Sequence, residues 1–253
     1  MNKTSAKPYL TGGIYQPKGK AGEYSRYACN LYFGCGHGCK YPCYVPAMLR
    51  MKPADWHALK PTPRKDILRH LEKDATRLAT IELGAEVFLC FTSDPYHGGN
   101  TSATREAIRI IGAAGLVPVI CTKGGTRAER DFDLMKQYGG KFGTTMVFYN
   151  DGLRKQFEPH APSIEDRIDA IQIAHYEGIY TFVSLEPVID PREALQVIRN
   201  MARYVRHWKV GKINYDPVRE CAVDWHEFYK EATRILDSVG ADYYVKEGLR
   251  AYA

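Results

Sequence analysis

Short apolar runs alternate along the chain with longer stretches of helical spacing. The runs are Tyr27–Leu31, Glu86–Thr92, Leu116–Thr122, Gly143–Phe148, Ile179–Leu185 and Val210–Tyr215. Between them, apolar residues recur every three or four positions in Arg64–Leu83 (Ile67, Leu68, Leu71, Ala75, Leu78), Thr101–Ala114, Arg127–Tyr138, Ile164–Glu177 and Pro191–Arg206. A last helical stretch, Asp224–Val239, precedes a terminal Tyr-Tyr-Val strand. Apolar runs rich in Val, Ile, Phe and Thr, each followed by a helix, predict βα units with parallel strands. Right-handed crossovers leave an open doubly wound sheet or a barrel. We expect an α/β fold, a partial TIM-type (βα)6 barrel over residues 23–253, with residues 1–22 as an extended, partly ordered lead-in. Chemistry in such barrels sits on the loops after the strands. That is where the chain puts a cysteine loop, Thr92-Ser93-Asp94-Pro95-Tyr96, Thr122-Lys123-Gly124-Gly125 and Ser184-Leu185-Glu186-Pro187.

Composition narrows the class. The 253 residues are 45% hydrophobic and 25% charged with a net charge of +6, ordinary values for a globular protein. No apolar run approaches the roughly 20 residues that a membrane helix needs. The opening MNKTSAKPYLTGG has no apolar core of a secretory signal. We therefore expect a cytoplasmic location and no membrane partner. One modest basic stretch, Arg199 to Lys212, suits phosphate contacts and a solvated helix face equally well. Trp56, Trp208 and Trp225 read as packing rather than base-stacking residues.

The cysteines change the picture. There are seven, an odd number, and four of them fall within the fifteen residues from Cys29 to Cys43. A secreted disulfide scaffold is shorter and more evenly spaced, so a metal or redox role fits better. Cys35, Cys39 and Cys43 form C-x3-C-x3-C, interleaved with Gly34, Gly36 and Gly38. Three thiolates on a glycine-rich loop can wrap one face of a cube-shaped [4Fe–4S] cluster and leave one iron open. Structural zinc, with Cys29 or His37 as fourth ligand, is the alternative, although zinc usually takes two separated ligand pairs.

A three-cysteine loop after the first strand of a partial βα barrel resembles the radical S-adenosylmethionine superfamily. The usual spacing there is C-x3-C-x2-C, with an aromatic before the last cysteine; this chain has one extra residue, with Pro42 at the aromatic position and Tyr41 before it. The resemblance extends over most of the chain to the spore photoproduct lyase-like family of DNA-repair-type enzymes. It is carried by Tyr15-Gln-Pro-Lys-Gly-Lys-Ala-Gly-Glu-Tyr24, Gly34-Cys-Gly-His-Gly-Cys-Lys-Tyr41, Thr92-Ser-Asp-Pro-Tyr96, Thr122-Lys123 with Arg130-Asp131, and Glu158-Pro-His-Ala-Pro-Ser163 with Arg167.

The resemblance implies a [4Fe–4S] cluster on Cys35, Cys39 and Cys43, with S-adenosylmethionine as second cofactor. It further implies cofactor contacts from Tyr41, Ser93 and Asp94, Lys123 near the carboxylate, Thr145, and less firmly Ser184 and Glu186. Tyr44 matches a tyrosine of the family's hydrogen-transfer chain. The family's donor cysteine falls on Phe91 here, with Cys90 one residue out of register, so Cys121 is the better relay. If Ser93 faces the lumen, alternation puts Phe91 and Leu89 there and Cys90 on the helix layer. His37, Glu158-Pro159 and Arg167 read as structural. The implied function is hydrogen abstraction from a nucleobase lesion or modified base, in DNA or RNA, with an electron donor such as flavodoxin or ferredoxin. Two rivals stand beside it: the same cofactors with a peptide, protein or small-metabolite substrate, and a non-enzymatic zinc-stabilised nucleic-acid-binding module.

Overall fold

The computed structural model describes residues 10–253. Seven strands form one all-parallel sheet in chain order: β1 (Tyr27–Cys29), β2 (Glu86–Leu89), β3 (Val117–Thr122), β4 (Lys141–Thr145), β5 (Tyr180–Leu185), β6 (His207–Val210) and β7 (Asp242–Val245). Six helices cross between successive strands: α1 (Ile67–Ala79), α2 (Ser102–Ala113), α3 (Phe132–Gln137), α4 (Ile164–Tyr176), α5 (Pro191–Met201) and α6 (Trp225–Ser238). Strands β1 and β7 remain the two edges, so the sheet is a partial barrel of six βα units and a terminal strand.

Two expected strands are displaced. The run Gly143–Phe148 yields a strand over Lys141–Thr145, and Val210–Tyr215 yields His207–Val210. Met146, Val147, Phe148 and Ile213 are apolar because they are buried in the loops after these strands, not because they pair. Arg127–Tyr138 is a 3-10 segment, Gly125–Asp131, running into the short α3, and α5 gives way to a single 3-10 turn at Ala202–Tyr204. Beyond the expected elements, Tyr32–Phe33 pairs antiparallel with Thr62–Pro63. Short helices also follow strands at Tyr44–Met48, Asp151–Phe157, Pro217–Cys221 and Glu247–Arg250.

The main core lies between the sheet's outer face and the helices. Ile67, Leu71, Ala75 and Leu78 form one buried stripe of α1, and each fully buried leucine contributes about 1.5–3 kcal/mol. Caps end the helices where the sequence suggests: Ser163 Oγ accepts from Asp166 N–H at 3.2 Å, with Glu165 and Asp166 in the first turn of α4. A smaller cluster, Ala28, Phe88, Val119 and Phe182 with Tyr24, Phe91 and Cys121 against it, fills the inner face. This corrects one expectation. Leu89 packs on the helix side, whereas Phe88 and Phe91 share the inner face with rings stacked 4.2 Å apart. Cys90 has φ 71, which breaks the two-residue alternation between strand and loop.

Residues 10–26 cross the opening between the two sheet edges as a strap. Asp74 of α1, fully buried, accepts from Thr11 N–H, Gly13 N–H and Ile14 N–H at 2.7, 2.8 and 2.9 Å. Tyr15 exchanges both backbone bonds with Ala28 of β1. At the other edge Glu23 accepts from Glu247 N–H at 2.8 Å and lies 3.5 Å from Lys246 Nζ. The remainder of the lead-in, residues 1–9, lies outside the described residues.

Candidate active site

The cysteine loop leaves the β1 end of the sheet through Gly34, Gly36 and Gly38, with φ 91, 80 and 65. Only glycine takes such angles freely, and a Cβ on Gly38 would also meet His160 Cδ2 at 2.8 Å. The loop is backed by the segment after Asp151–Phe157: Lys40 N–H donates to Phe157 O at 2.8 Å and His160 N–H to His37 O at 3.3 Å. Cys35, Cys39 and Cys43 are free thiols, partly exposed, and burial raises the pKa of all three. Among the described residues no three His, Cys, Asp or Glu side chains are grouped to hold a single ion. A cube-shaped cluster binds each thiolate through a different iron, so its ligands need not converge on one point. The two fourth ligands considered for zinc are committed elsewhere. Cys29 is fully buried in the main core, and His37 Nε2 lies 2.9 Å from Asp94 Oδ2, off the line of a straight hydrogen bond.

Asp94 follows β2 and ties three elements together. Its carboxylate accepts from Tyr96 N–H at 2.7 Å, Thr122 Oγ1 at 2.5 Å and Lys123 N–H at 2.8 Å, besides the His37 contact. Burial alone would raise this carboxyl; His37 and the hydrogen bonds outweigh it and hold the group well below the usual carboxylate range. Asp94 thereby positions the cysteine loop against β3.

Glu158 is a second hub, and sequence reasoning placed it only as structural. Fully buried, it accepts from Tyr41 Oη at 2.5 Å and from Arg167 Nη2 at 2.6 Å, and Lys123 Nζ stands 3.5 Å away. Burial would raise its carboxyl, but Lys123 and Arg167 pull it down. Burial would lower Lys123; Cys39 and Glu158 beside it raise it instead, so the ammonium stays charged next to the cysteine loop. Tyr41 is thereby turned toward Glu158, its ring 5.5 Å from Lys123 Nζ. The signal was present in Glu158-Pro159-His160 and in Arg167, but the partners Tyr41 and Lys123 are far away in sequence.

The remaining strand ends differ in how free they are. Ser93 Oγ is buried without a hydrogen-bond partner. Thr145 Oγ1 lies 3.5 Å from Cys121 Sγ, and burial pushes the Cys121 thiol up to about 11, so it keeps its proton at neutral pH. Tyr44 Oη donates to Phe91 O rather than toward Cys121. Ser184 Oγ and Tyr24 Oη lie 2.6 Å apart. Glu186 accepts from Tyr24 at 3.1 Å, Asn214 at 3.0 Å and Lys246. The pair Ser184 and Glu186 thus also holds the strap at the end of β5. On the loop side, three free thiols and a charged lysine fit these cofactors.

Comparison with known proteins gives the family. An uncharacterized protein of Methanocaldococcus jannaschii is 24% identical over 225 residues, covering 85% of this chain and 80% of that protein. A spore photoproduct lyase mutant with bound AdoMet and dinucleoside spore photoproduct shares the fold at TM-score 0.68 and 16% identity, over 90% of this chain and 78% of that one. SuiB of Streptococcus suis, bound to S-adenosylmethionine, shares it at TM-score 0.62 and 8% identity, over 87% of this chain and 50% of that one. The model of the Radical SAM superfamily matches residues 29–205, from β1 through the turn after α5. The chain belongs to the radical SAM superfamily and is an enzyme of that class, whose cofactors are a [4Fe–4S] cluster and S-adenosylmethionine.

Proposed function

We propose that Cys35, Cys39 and Cys43 hold the cluster and that the adjoining strand ends hold S-adenosylmethionine for hydrogen abstraction from a damaged or modified nucleobase. The observation that carries the site is Lys123, kept charged beside Cys39 and Glu158 at the three-thiol loop. When bound, the cofactors supply an electron to the sulfonium and a 5′-deoxyadenosyl radical that takes a hydrogen atom. The protein's own residues bind and orient. Ser93 Oγ accepts from the cofactor's amino group, and Lys123, kept cationic by Glu158, attracts its carboxylate. Asp94 and Glu158 act through other groups: one sets the loop against β3, the other aims Tyr41 and Lys123. Thr145 and the protonated Cys121 sit side by side on the inner face, where a thiol S–H can return a hydrogen atom to a substrate radical. Tyr44 belongs to the same loop and is the candidate relay on its exposed side.

A nucleobase substrate is supported by the fold shared with spore photoproduct lyases, and a flavodoxin- or ferredoxin-type donor by the chemistry's need for an electron. The test uses base-deuterated DNA and RNA oligonucleotides, some carrying thymine lesions, with reconstituted enzyme. Deuterium recovered in 5′-deoxyadenosine is expected. Turnover with peptide or metabolite pools and none with either nucleic acid would overturn the substrate assignment while leaving the enzyme class intact.

A further inference from the structure

The lumen has a second opening, at the end of the sheet opposite the cysteine loop. Its rim is made by the first residues of strands, Glu86, Lys141, Tyr180, His207 and Asp242. Deeper in, Phe88, Val119, Phe182 and Lys209 line a cavity of about 200 Å³, which Tyr24 closes at its inner end. The Tyr24 hydroxyl reaches Ser184 at the end of β5, at 2.6 Å.

The inner part of the wall is aromatic and aliphatic, from Phe88, Val119 and Phe182, and the rest is polar. The Phe88 ring is fixed by its stack on Phe91. The Phe182 ring occupies room left by Gly143, where a Cβ would meet it at 2.5 Å. At the rim Lys141 pairs with Glu86 at 2.5 Å, and His207 Nδ1 lies 2.8 Å from Asp242 Oδ2. Lys209 differs. Its Nζ donates to Glu23 O at 2.9 Å and stands 5.0 and 5.5 Å from the Tyr24 and Tyr244 ring centres. Among the described residues no carboxylate forms an ion pair with it. An ammonium carries three donors, and the backbone carbonyl takes one. Burial, with Lys246 nearby, lowers the pKa of this amine against the opposing pull of Cys121, Glu86 and Glu23.

We propose that this cavity binds a single-ring aromatic carboxylate, its ring between Phe88 and Phe182 and its carboxylate on Lys209. Size selects one ring, since a cavity of about 150 Å³ already holds benzene and the remaining space suits one small polar group. Charge favours the anion, because Lys209 donates one hydrogen bond to a carbonyl and forms no ion pair among the described residues. The assignment is independent of the nucleobase reading, which concerns the opposite end of the sheet.

Calorimetric titration of the cluster-loaded full chain with benzoate and with benzylamine tests it. Benzoate should bind at least about tenfold more tightly than its cationic counterpart, as a charge-assisted contact requires. Lys209→Met should remove that preference, and Val119→Phe, which fills the cavity, should weaken both ligands. Equal binding of the two probes, no binding of benzoate at millimolar concentration, or unchanged benzoate affinity in Lys209→Met would overturn the proposal. Should Val119→Phe fail to fold, the Lys209→Met comparison decides alone.

Discussion

At the scale of single residues, the account rests on charges buried where they can do something. Arg167 and Glu158 are both fully buried and bonded to each other, and Lys123 and Tyr41 share the same carboxylate. Glu158→Ala leaves the guanidinium without its counter-charge, which typically costs about 3–5 kcal/mol. Urea unfolding should show that loss, and a smaller one for Glu158→Gln, which still offers Tyr41 an acceptor. A change under about 0.5 kcal/mol for Glu158→Ala would mean that Arg167 is satisfied by its backbone partners alone. Asp151 gives a pH dependence. Its hydrogen bond with Arg154 holds its carboxyl down at about 2, where burial alone would raise it, and Ile164 N–H at the start of α4 adds to the effect. A carboxyl depressed in the folded state contributes stability above its unfolded pKa and loses it as the pH falls through the folded one. Thermal stability should therefore fall from about pH 4 toward about pH 2, and Asp151→Asn should flatten that slope. The cysteines and Lys123 were legible because loop position and residue type suffice to single them out. The role of Glu158 was not: a buried carboxylate is defined by partners far away in sequence.

Elements carry the next set of consequences. Helix stripes and caps were readable because they are local, as α1 and the Ser163 cap illustrate. The phase of β2 was not, because one residue with φ 71 at Cys90 changes which side chains face the lumen. Displaced β4 and β6 teach a related lesson: apolar residues mark burial, and the loops after these strands are buried too. The strap was the largest surprise among the elements. Glycine, proline and lysine without periodicity read as an extended, partly ordered lead-in, and its order comes from Asp74, which collects three backbone N–H groups and the Thr11 hydroxyl. Each N–H left buried and unpaired costs about 1–3 kcal/mol. Asp74→Ala should lower the melting temperature and speed amide exchange at Thr11, Gly13 and Ile14, with the β3 to β5 amides still protected. Unchanged exchange at those three positions would show that the Tyr15–Ala28 bridge alone holds the strap.

The whole molecule is a six-unit partial barrel whose open side is spanned by its own N-terminal segment. Its strand order follows from chain order, because every crossover is a βα unit of the same hand. The extra residue between Cys39 and Cys43 leaves the three thiols on one loop, backed by Glu158 and faced by Lys123. Among the described residues no helix is long and apolar enough to cross a membrane. The central claim is that this loop carries the cofactors at which the chemistry begins. Its most direct test is 5′-deoxyadenosine release by anaerobically reconstituted protein given dithionite and S-adenosylmethionine, run beside Cys43→Ala. The account predicts release by the wild-type chain, with both cluster absorbance and release lost in the variant. Absence of release from fully cluster-loaded wild-type protein, or full cluster content and release in Cys43→Ala, would contradict it.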